Sequence, residues 1–297
     1  MQFWSGTPFM KTTEIVPVAR MFDEAGYDGL ICSDHLIYPR ELSSPYPDSP
    51  TGRPGWVPET AWPDSWVLIG AMAAVTRRLR FSNAVYVAPA RPLIEVAKQV
   101  ATASVLSEGR VSLGVGVGWM REEYELLGQD FATRGKRLTE MIPALRELWR
   151  GGWVSWSGEY YQVPELMIEP HPEALIPILC GGESDAALRR AARMCDGWVG
   201  YAYAWDDAVG YAEKLKKLRR EYGRENEPFD ILLALLEPPT PDLYKRAEDV
   251  GITQVMSAPW MGMDLPPGGV ERYREPSSGS PKRSSRRCAG KYRWLRG

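Results

Sequence analysis

Histidine, paired cysteine and long apolar runs are all scarce in this chain of 297 residues. It has two histidines, His35 and His171, and four scattered cysteines without CxxC spacing, which excludes a histidine-rich metal site and gives no support to a zinc site. The longest apolar runs, such as residues 231–236, are far too short to cross a bilayer, and the first residues do not form a secretory leader. We therefore expect a cytoplasmic protein with reduced thiols, without a metal and without a membrane partner.

An excess of basic charge is absent from most of the chain. Residues 275–297 carry seven basic residues and one acidic residue, which leaves 29 basic and 37 acidic residues at positions 1–274, a net charge of about −8. An acidic body does not attract nucleic acid, so we expect a small-molecule substrate and no nucleic-acid partner. Residues 275–297 are rich in Ser, Arg, Lys and Gly and have no amphipathic period, so we expect a separate tail without regular structure.

What the chain does have is an alternation of strand-like and helix-like segments, which is typical of a parallel sheet with crossover helices. Eight strand-like segments cover residues 2–5, 29–33, 79–87, 110–117, 177–180, 198–200, 229–236 and 252–257. Their number and the chain length predict an α/β fold, a single (β/α)8 TIM barrel over residues 1–274. A Rossmann-type sheet is the alternative, but its glycine fingerprint is absent near the first strand.

Two segments interrupt this alternation. Residues 153–163 have a Ser157-Gly158 turn between two aromatic-rich arms, which predicts a small β-hairpin inserted after the fourth unit. The helix that should follow the eighth strand is not recognisable, because the 275–297 segment stands in its place. We therefore expect a barrel with a small insertion and an atypical C-terminal tail.

The residues after each strand are the informative ones, because the active site of a (β/α)8 barrel lies at the C-terminal ends of its strands. The second strand ends in SDHL at residues 33–36. His35 can donate or accept a proton near neutral pH, and Asp34 can orient it or hydrogen-bond a cofactor. A histidine satisfied by the long loop that follows is the alternative. His171, between two prolines in a connecting segment, is expected to be structural.

Glycines mark two further strand ends. Residues 114–119 read GVGVGW, and glycines on one face of a strand allow close approach of a ligand or of another backbone; helix packing explains the pattern nearly as well. Residues 181–184 read GGES and precede a helix. Free N–H groups at such a helix start suit a phosphate, an interpretation that we favour over a simple N-cap by Ser184.

Taken together, these strings resemble the luciferase-like monooxygenase superfamily, and in particular its branch that depends on coenzyme F420. The resemblance covers roughly residues 1–260 and rests on the order and spacing of motifs that are weak one by one. They are AGYD at 25–28, SDHL at 33–36, AAVT at 73–76, RP at 91–92, LSEGR at 106–110, GVGVGW at 114–119, EEY at 122–124, RGKR at 134–137, LW at 148–149, GGES at 181–184 and DGW at 196–198.

The resemblance implies a dimeric (β/α)8 barrel that binds F420, or alternatively FMN, at the strand ends, with the cofactor ring beside strands two to four. It makes His35 the catalytic or ring-contacting residue and places residues 83–85 in a bulge with a non-prolyl cis peptide that supports the ring. It also makes residues 181–184 the phosphate-binding loop. The cofactor-binding residues that we expect are Asp34, Asn83, Ala84, Val85, Gly116, Trp119, Gly181, Gly182, Glu183 and Ser184.

One departure from the family pattern bears on the reaction. Trp119 stands where sugar-phosphate dehydrogenases of the family have an acidic proton donor, which argues against that activity and leaves the acid unassigned. Glu122 and Glu123 are nearby, with stabilisation of a helix N-terminus as the alternative role. We predict an oxidoreductase that transfers hydride between F420 and a small organic substrate, with a proton supplied through His35. An FMN-dependent monooxygenase is the second hypothesis, and a non-catalytic flavin-binding barrel, suggested by the abnormal C-terminus, is the third.

Overall fold

The computed structural model describes residues 1–258. Within them the strands and helices alternate as the sequence predicts. The elements are β1 Gln2–Gly6, α1 Thr12–Ala25, β2 Gly29–Cys32, α2 Ser65–Ala73, β3 Arg80–Asn83, α3 Leu93–Leu106, β4 Leu113–Val115, α4 Arg121–Leu126, α5 Arg134–Leu148, β5 Val154–Ser157, β6 Gln162–Leu166, β7 Ile178–Gly181, α6 Asp185–Met194, β8 Gly197–Tyr203, α7 Trp205–Glu221, β9 Asp230–Leu235, α8 Pro241–Asp249 and β10 Gln254–Ser257.

Eight of the strands form one parallel sheet in the order β3-β2-β1-β10-β9-β8-β7-β4. Parallel bridges from Phe81 to Val111 and from Tyr86 to Val115 bring the two edge strands, β3 and β4, together. The sheet is therefore almost closed, and the predicted TIM barrel is confirmed. Strands β5 and β6 pair antiparallel outside this sheet, as the sequence predicts for a hairpin inserted after the fourth unit.

Most buried apolar side chains fall into an inner and an outer cluster, and a third, small cluster contains Val87, Ala90 and Tyr124. The inner cluster consists of Trp4, Ile31, Leu179, Val199 and Leu232, with Ala84, Val85 and Met256 packed against it. The neighbours of Ile31 along β2, Leu30 and Cys32, belong to the outer cluster, because successive side chains of a strand point to opposite faces. The inside of the barrel is thus a packed core, and a ligand site has to lie above it, at the strand ends.

The glycines of the 114–119 segment are explained by the chain that follows β3. A Cβ atom on Gly114 would lie 1.8 Å from the carbonyl oxygen of Asn83, and one on Gly116 would lie 2.2 Å from Cγ2 of Val85. Residues 83–85 therefore lie directly against β4. Of the explanations that the sequence left open, close approach of a neighbouring chain segment accounts for these two glycines.

Some expectations concern residues that the structure does not describe. The helix expected after β10, the domain boundary at residue 274 and the tail at residues 275–297 all lie outside the described residues. In residues 1–258, no helix is long and apolar enough to span a bilayer. In the same range, no group of His, Cys, Asp and Glu side chains is arranged to hold a metal ion.

Candidate active site

His35 follows β2 at the mouth of the barrel, and its side chain is 12% exposed. Its Nδ1 lies 3.3 Å from Oε1 of Glu123, and the same oxygen accepts a hydrogen bond of 2.8 Å from the backbone N–H of Leu36. This contact favours the tautomer with the proton on Nδ1 and leaves Nε2 as the atom that can exchange a proton with a ligand. A histidine oriented by a buried carboxylate is suited to general acid–base catalysis.

The two carboxylates at the start of α4 hold the loop that follows β2. Glu123 contacts His35, and the Glu122 carboxylate accepts three hydrogen bonds of 2.7 Å from the backbone N–H and hydroxyl of Ser43 and from the hydroxyl of Ser44. Burial acts to raise the pKa of Glu122, but the hydrogen bonds from Ser44 and Ser43 outweigh it and lower the pKa to about 2. Both carboxylates therefore do more than stabilise a helix N-terminus.

Asp34 is buried and paired with an arginine that the sequence reasoning missed. Its carboxylate accepts hydrogen bonds of 2.7 and 2.8 Å from the guanidinium of Arg91 and one of 2.9 Å from the backbone N–H of Val87. Burial acts to lower the pKa of Arg91, but the Asp34 carboxylate outweighs it and raises that pKa, so the guanidinium stays charged. Asp34 thus ties the end of β2 to the segment after β3, while Glu123 contacts His35. A contact between Asp34 and a cofactor stays a prediction.

The segment after β3 has the backbone feature that the resemblance implies, a cis peptide between Ala84 and Val85. The Val85 side chain lies between Gly116 and Gly181, since Cβ atoms on these glycines would be 2.2 and 2.4 Å from it. Val85 therefore connects the β3–β4 side of the mouth to the start of the 181–184 loop. Asn83 is fully buried, and neither polar atom of its side chain has a hydrogen-bond partner among the described residues.

Aromatic rings enclose His35. The rings of Trp56, Trp62 and Trp119 have centroids 5.0, 5.3 and 5.8 Å from that of the imidazole. Tyr46 packs against both Trp56 and Trp119 at 5.1 Å. Trp56 and Tyr46 come from the long loop after β2, where the sequence offered no periodic signal that would single them out. The Nε1–H of Trp62 is buried without an acceptor among the described residues, which fits a planar ligand that carries a carbonyl oxygen.

The 181–184 loop forms the opposite side of the mouth and is exposed from Gly182 to Ser184. The Gly182 carbonyl accepts a hydrogen bond of 2.9 Å from Nε1 of Trp198, and Glu183 accepts one of 2.5 Å from the Tyr203 hydroxyl. Ser184 caps α6 through a hydrogen bond of 3.3 Å from the Ala187 N–H to its hydroxyl oxygen. The N-cap that the sequence left as the alternative is therefore present, and phosphate binding by this loop stays a prediction.

The long loop after β2 reaches from one side of the mouth to the other. Burial and, to a smaller extent, the nearby Glu183 carboxylate raise the pKa of Asp48. The structure thus brings together His35, residues 83–85, Gly116, Trp119 and the 181–184 loop. His171 contributes nothing to this group; it contacts Glu169 of its own connecting segment at 3.0 Å.

Comparisons with known proteins agree with this fold. A family model described as luciferase-like monooxygenase matches residues 3–237. The uncharacterized protein Rv0940c of Mycobacterium tuberculosis (strain ATCC 25618 / H37Rv) is 40% identical over 256 residues, which are 86% of this chain and 88% of that protein. The chain thus has close relatives over most of its length.

Two solved structures with the same fold have different cofactors in their descriptions. The coenzyme F420-dependent tetrahydromethanopterin reductase from Methanopyrus kandleri has a TM-score of 0.68 and 13% identity, over 91% of this chain and 95% of that one. The oxygenating constituent of 3,6-diketocamphane monooxygenase from Pseudomonas putida, in complex with FMN, has a TM-score of 0.60 and 17% identity, over 83% of this chain and 70% of that one. At such low identity the likeness extends to the fold alone.

Proposed function

The chain belongs to the luciferase-like monooxygenase family, and we propose that it transfers hydride between coenzyme F420 and a small organic substrate. The observation that carries the proposal is the arrangement at the barrel mouth. There the Glu123–His35 pair lies within an aromatic enclosure, and Val85, next to the cis peptide, joins the two sides of the mouth. A deazaflavin and its substrate together require a proton-exchanging group, flat apolar walls and a buried hydrogen-bond donor that has no acceptor in the protein.

The residues of the mouth divide into those that would hold the ring and those that would hold the phosphate. The backbone of Ala84 and Val85 would support one face of the ring, and the indole N–H of Trp62 would donate to a ring carbonyl. The N–H groups at the start of α6, next to residues 182–184, would bind the phosphate. When bound, F420 supplies or accepts the hydride, and the protein supplies orientation and the proton.

His35 exchanges the proton that accompanies hydride transfer. A carbonyl carbon that receives hydride leaves charge on its oxygen, and His35, when both ring nitrogens carry a proton, donates the one on Nε2 to that oxygen. In the reverse direction the neutral ring accepts a proton at Nε2. Glu123 positions the ring through its contact with Nδ1. The rings of Trp56 and Trp119 exclude water from the reacting atoms. The expectation of a cytoplasmic homodimer stays a prediction.

The proposal is tested by titrating the purified full-length protein with F420 and, separately, with FMN, following fluorescence. Oxygen consumption is then measured with each cofactor in its reduced form. We expect saturable binding of F420 at one site per chain, without oxygen uptake. Oxygen consumption with reduced FMN would instead identify an FMN-dependent monooxygenase, and binding of neither cofactor would leave a non-catalytic barrel.

A further inference from the structure

A cavity of about 590 Å³ opens between the start of α3, the connection from α4 to α5, and the β5–β6 hairpin. Its walls include residues 92–94, Gln129, Tyr161 and Val163, together with Arg137 from α5. His35 and residues 181–184 do not line it. The cavity is therefore distinct from the barrel mouth, and nothing in the proposed function uses it.

Arg137 is the first sign of what this cavity binds. Its side chain is buried, with 8% exposure, and its guanidinium lies 5.8 Å from the centre of the Tyr161 ring. Among residues 1–258 it pairs with no carboxylate within 4 Å. Arg91, which is 7% exposed, is matched by Asp34, and Arg190, also 7% exposed, donates to Thr139 and Gly135. The Arg137 guanidinium therefore presents an unpaired positive charge to the cavity, and such a group is suited to an anionic ligand.

Two further donors face the same cavity. Tyr161 is 9% exposed, and its buried hydroxyl lies beside the Arg137 guanidinium and has no other hydrogen-bond partner in the described part of the chain. Helix α3 has 14 residues and begins after Pro92 without a side-chain cap, and Leu93 and Ile94 of its first turn line the cavity. The uncapped N–H groups at a helix start carry partial positive charge. A guanidinium, a hydroxyl and a helix N-terminus therefore converge on one space.

The walls of the cavity are fixed, and their carboxylates are engaged elsewhere. Glu140 of α5 accepts hydrogen bonds of 2.8 Å from the backbone N–H groups of Tyr160 and Tyr161 and one of 3.3 Å from Nε1 of Trp156. It thereby holds the tip of the hairpin against α5. Asp130, the one carboxylate in the lining, is exposed and accepts a hydrogen bond of 2.8 Å from the Ala132 N–H. Neither carboxylate neutralises Arg137.

We propose that this cavity binds a small organic oxyanion, a carboxylate or a phosphate ester. Its charged group contacts the Arg137 guanidinium, the Tyr161 hydroxyl and the first turn of α3, and its apolar part packs against Leu93 and Val163. The volume accommodates a metabolite-sized molecule. Binding here is independent of the cofactor site, so it stands whether the barrel mouth takes F420 or FMN.

The test is calorimetric titration of the full-length protein with two probes, inorganic phosphate and benzoate. We expect at least one of them to bind saturably, one per chain. Because Arg137→Gln removes a charge-assisted hydrogen bond to the ligand, it should weaken this binding by about tenfold or more. Lys136→Gln, which removes an exposed charge from the neighbouring position of α5, is the matched control and should leave the affinity unchanged. Preference for one probe identifies the charged group as phosphate or carboxylate.

A second variant tests the proposal in case Arg137→Gln does not fold. Tyr161→Phe removes one hydroxyl whose neighbour in the described chain is Arg137 alone, so it should nearly keep its thermal unfolding midpoint and still weaken binding severalfold. Phosphate that binds equally well to the wild-type protein and to both variants is bound elsewhere, which overturns the proposal. Absence of saturable binding by the folded wild-type protein, or an equal loss in Lys136→Gln, overturns it as well.

Discussion

The two sides of the barrel mouth are built by different means. After β2 the side chains are buried and paired, Asp34 with Arg91 and His35 with Glu123. After β7 the chain is exposed from Gly182 to Ala186, and Gly182 has a φ of +105°. Proton transfer requires a side chain held in one orientation, whereas a phosphate needs only N–H groups at a helix start. The contrast therefore matches the division that we propose, with proton transfer on the first side and phosphate binding on the second.

The largest effect is a loss of stability, and we expect it at Asp34, which is buried on the first side of the mouth. Asp34→Ala leaves the Arg91 guanidinium buried without its carboxylate and should lower the free energy of unfolding by about 3–5 kcal/mol. The matched change on the second side is Asp185→Ala, which removes an exposed carboxylate paired with Lys214 and should leave the free energy of unfolding nearly unchanged, because solvent screens the pair. Urea unfolding of both variants measures the difference, and similar losses would contradict the contrast between the two sides.

The next effect concerns turnover. His35→Ala removes the proton-exchanging group and should reduce turnover by about a hundredfold or more, while F420 affinity changes severalfold at most. His171→Ala is the control, because that histidine is 43% exposed and pairs with Glu169 of its own connecting segment, away from the barrel mouth. Steady-state kinetics and fluorescence titration separate the two quantities. Unchanged turnover in His35→Ala would remove this residue from the mechanism.

The sequence predicts the barrel well because its signals are local. Each of the eight predicted strand segments coincides with a strand of the barrel sheet, as residues 229–236 do with β9 Asp230–Leu235. The third strand is shorter than the predicted 79–87, since the ladder between β2 and β3 ends at Asn83 and the cis peptide follows. The strand-like segment from Leu79 to Val87 looks the same in the sequence whether all of it stays in the sheet or its second half leaves it.

The site is harder to predict, because its contacts join distant parts of the chain. His35 and Glu123 are 88 positions apart, and Asp34 and Arg91 are 57 apart. The residue types can be read from the sequence, and the family resemblance predicts that they lie near one another at the barrel mouth. The sequence does not give the partner of each charge. This is why Asp34 was a candidate for orienting His35 and Arg91 was only part of a motif.

A double-variant cycle sharpens the first side of the comparison. Glu123→Gln keeps the shape of the side chain but removes the charge that positions His35, so turnover should fall by about tenfold. If Glu123 acts through His35, the double variant His35→Ala/Glu123→Gln should be no slower than His35→Ala alone. Glu125→Gln, an exposed change on the same helix, is the control. Losses that multiply in the double variant would show that Glu123 acts independently of His35.

A smaller effect is expected from the second side. Gly182→Ala places a Cβ on a residue with positive φ, 3.1 Å from Cβ of Ala187, and should cost about 1–2 kcal/mol of stability. Because the loop would bind the phosphate, F420 affinity should fall while turnover at saturation is kept. Gly223→Ala carries similar backbone strain, with φ +68° and open space around it, and should leave F420 affinity unchanged. A loss of turnover at saturation would assign the loop to catalysis.

The smallest effect is a dependence of stability on pH. It is expected from Glu122, which holds the long loop after β2 that reaches both sides of the barrel mouth. The pKa of Glu122 is lowered from 4.5 to about 2, so its contribution to stability is complete above pH 4.5 and is lost as the pH falls toward 2. Glu122→Gln should therefore be less stable than the wild-type protein at pH 6, by less than about 1 kcal/mol because the group is partly exposed. The difference should shrink at pH 4 and again at pH 3, where urea unfolding is compared. A difference that stays constant with pH would mean that the serine hydroxyls hold the Gln side chain as firmly as the carboxylate, and that the charge of Glu122 does not anchor the loop.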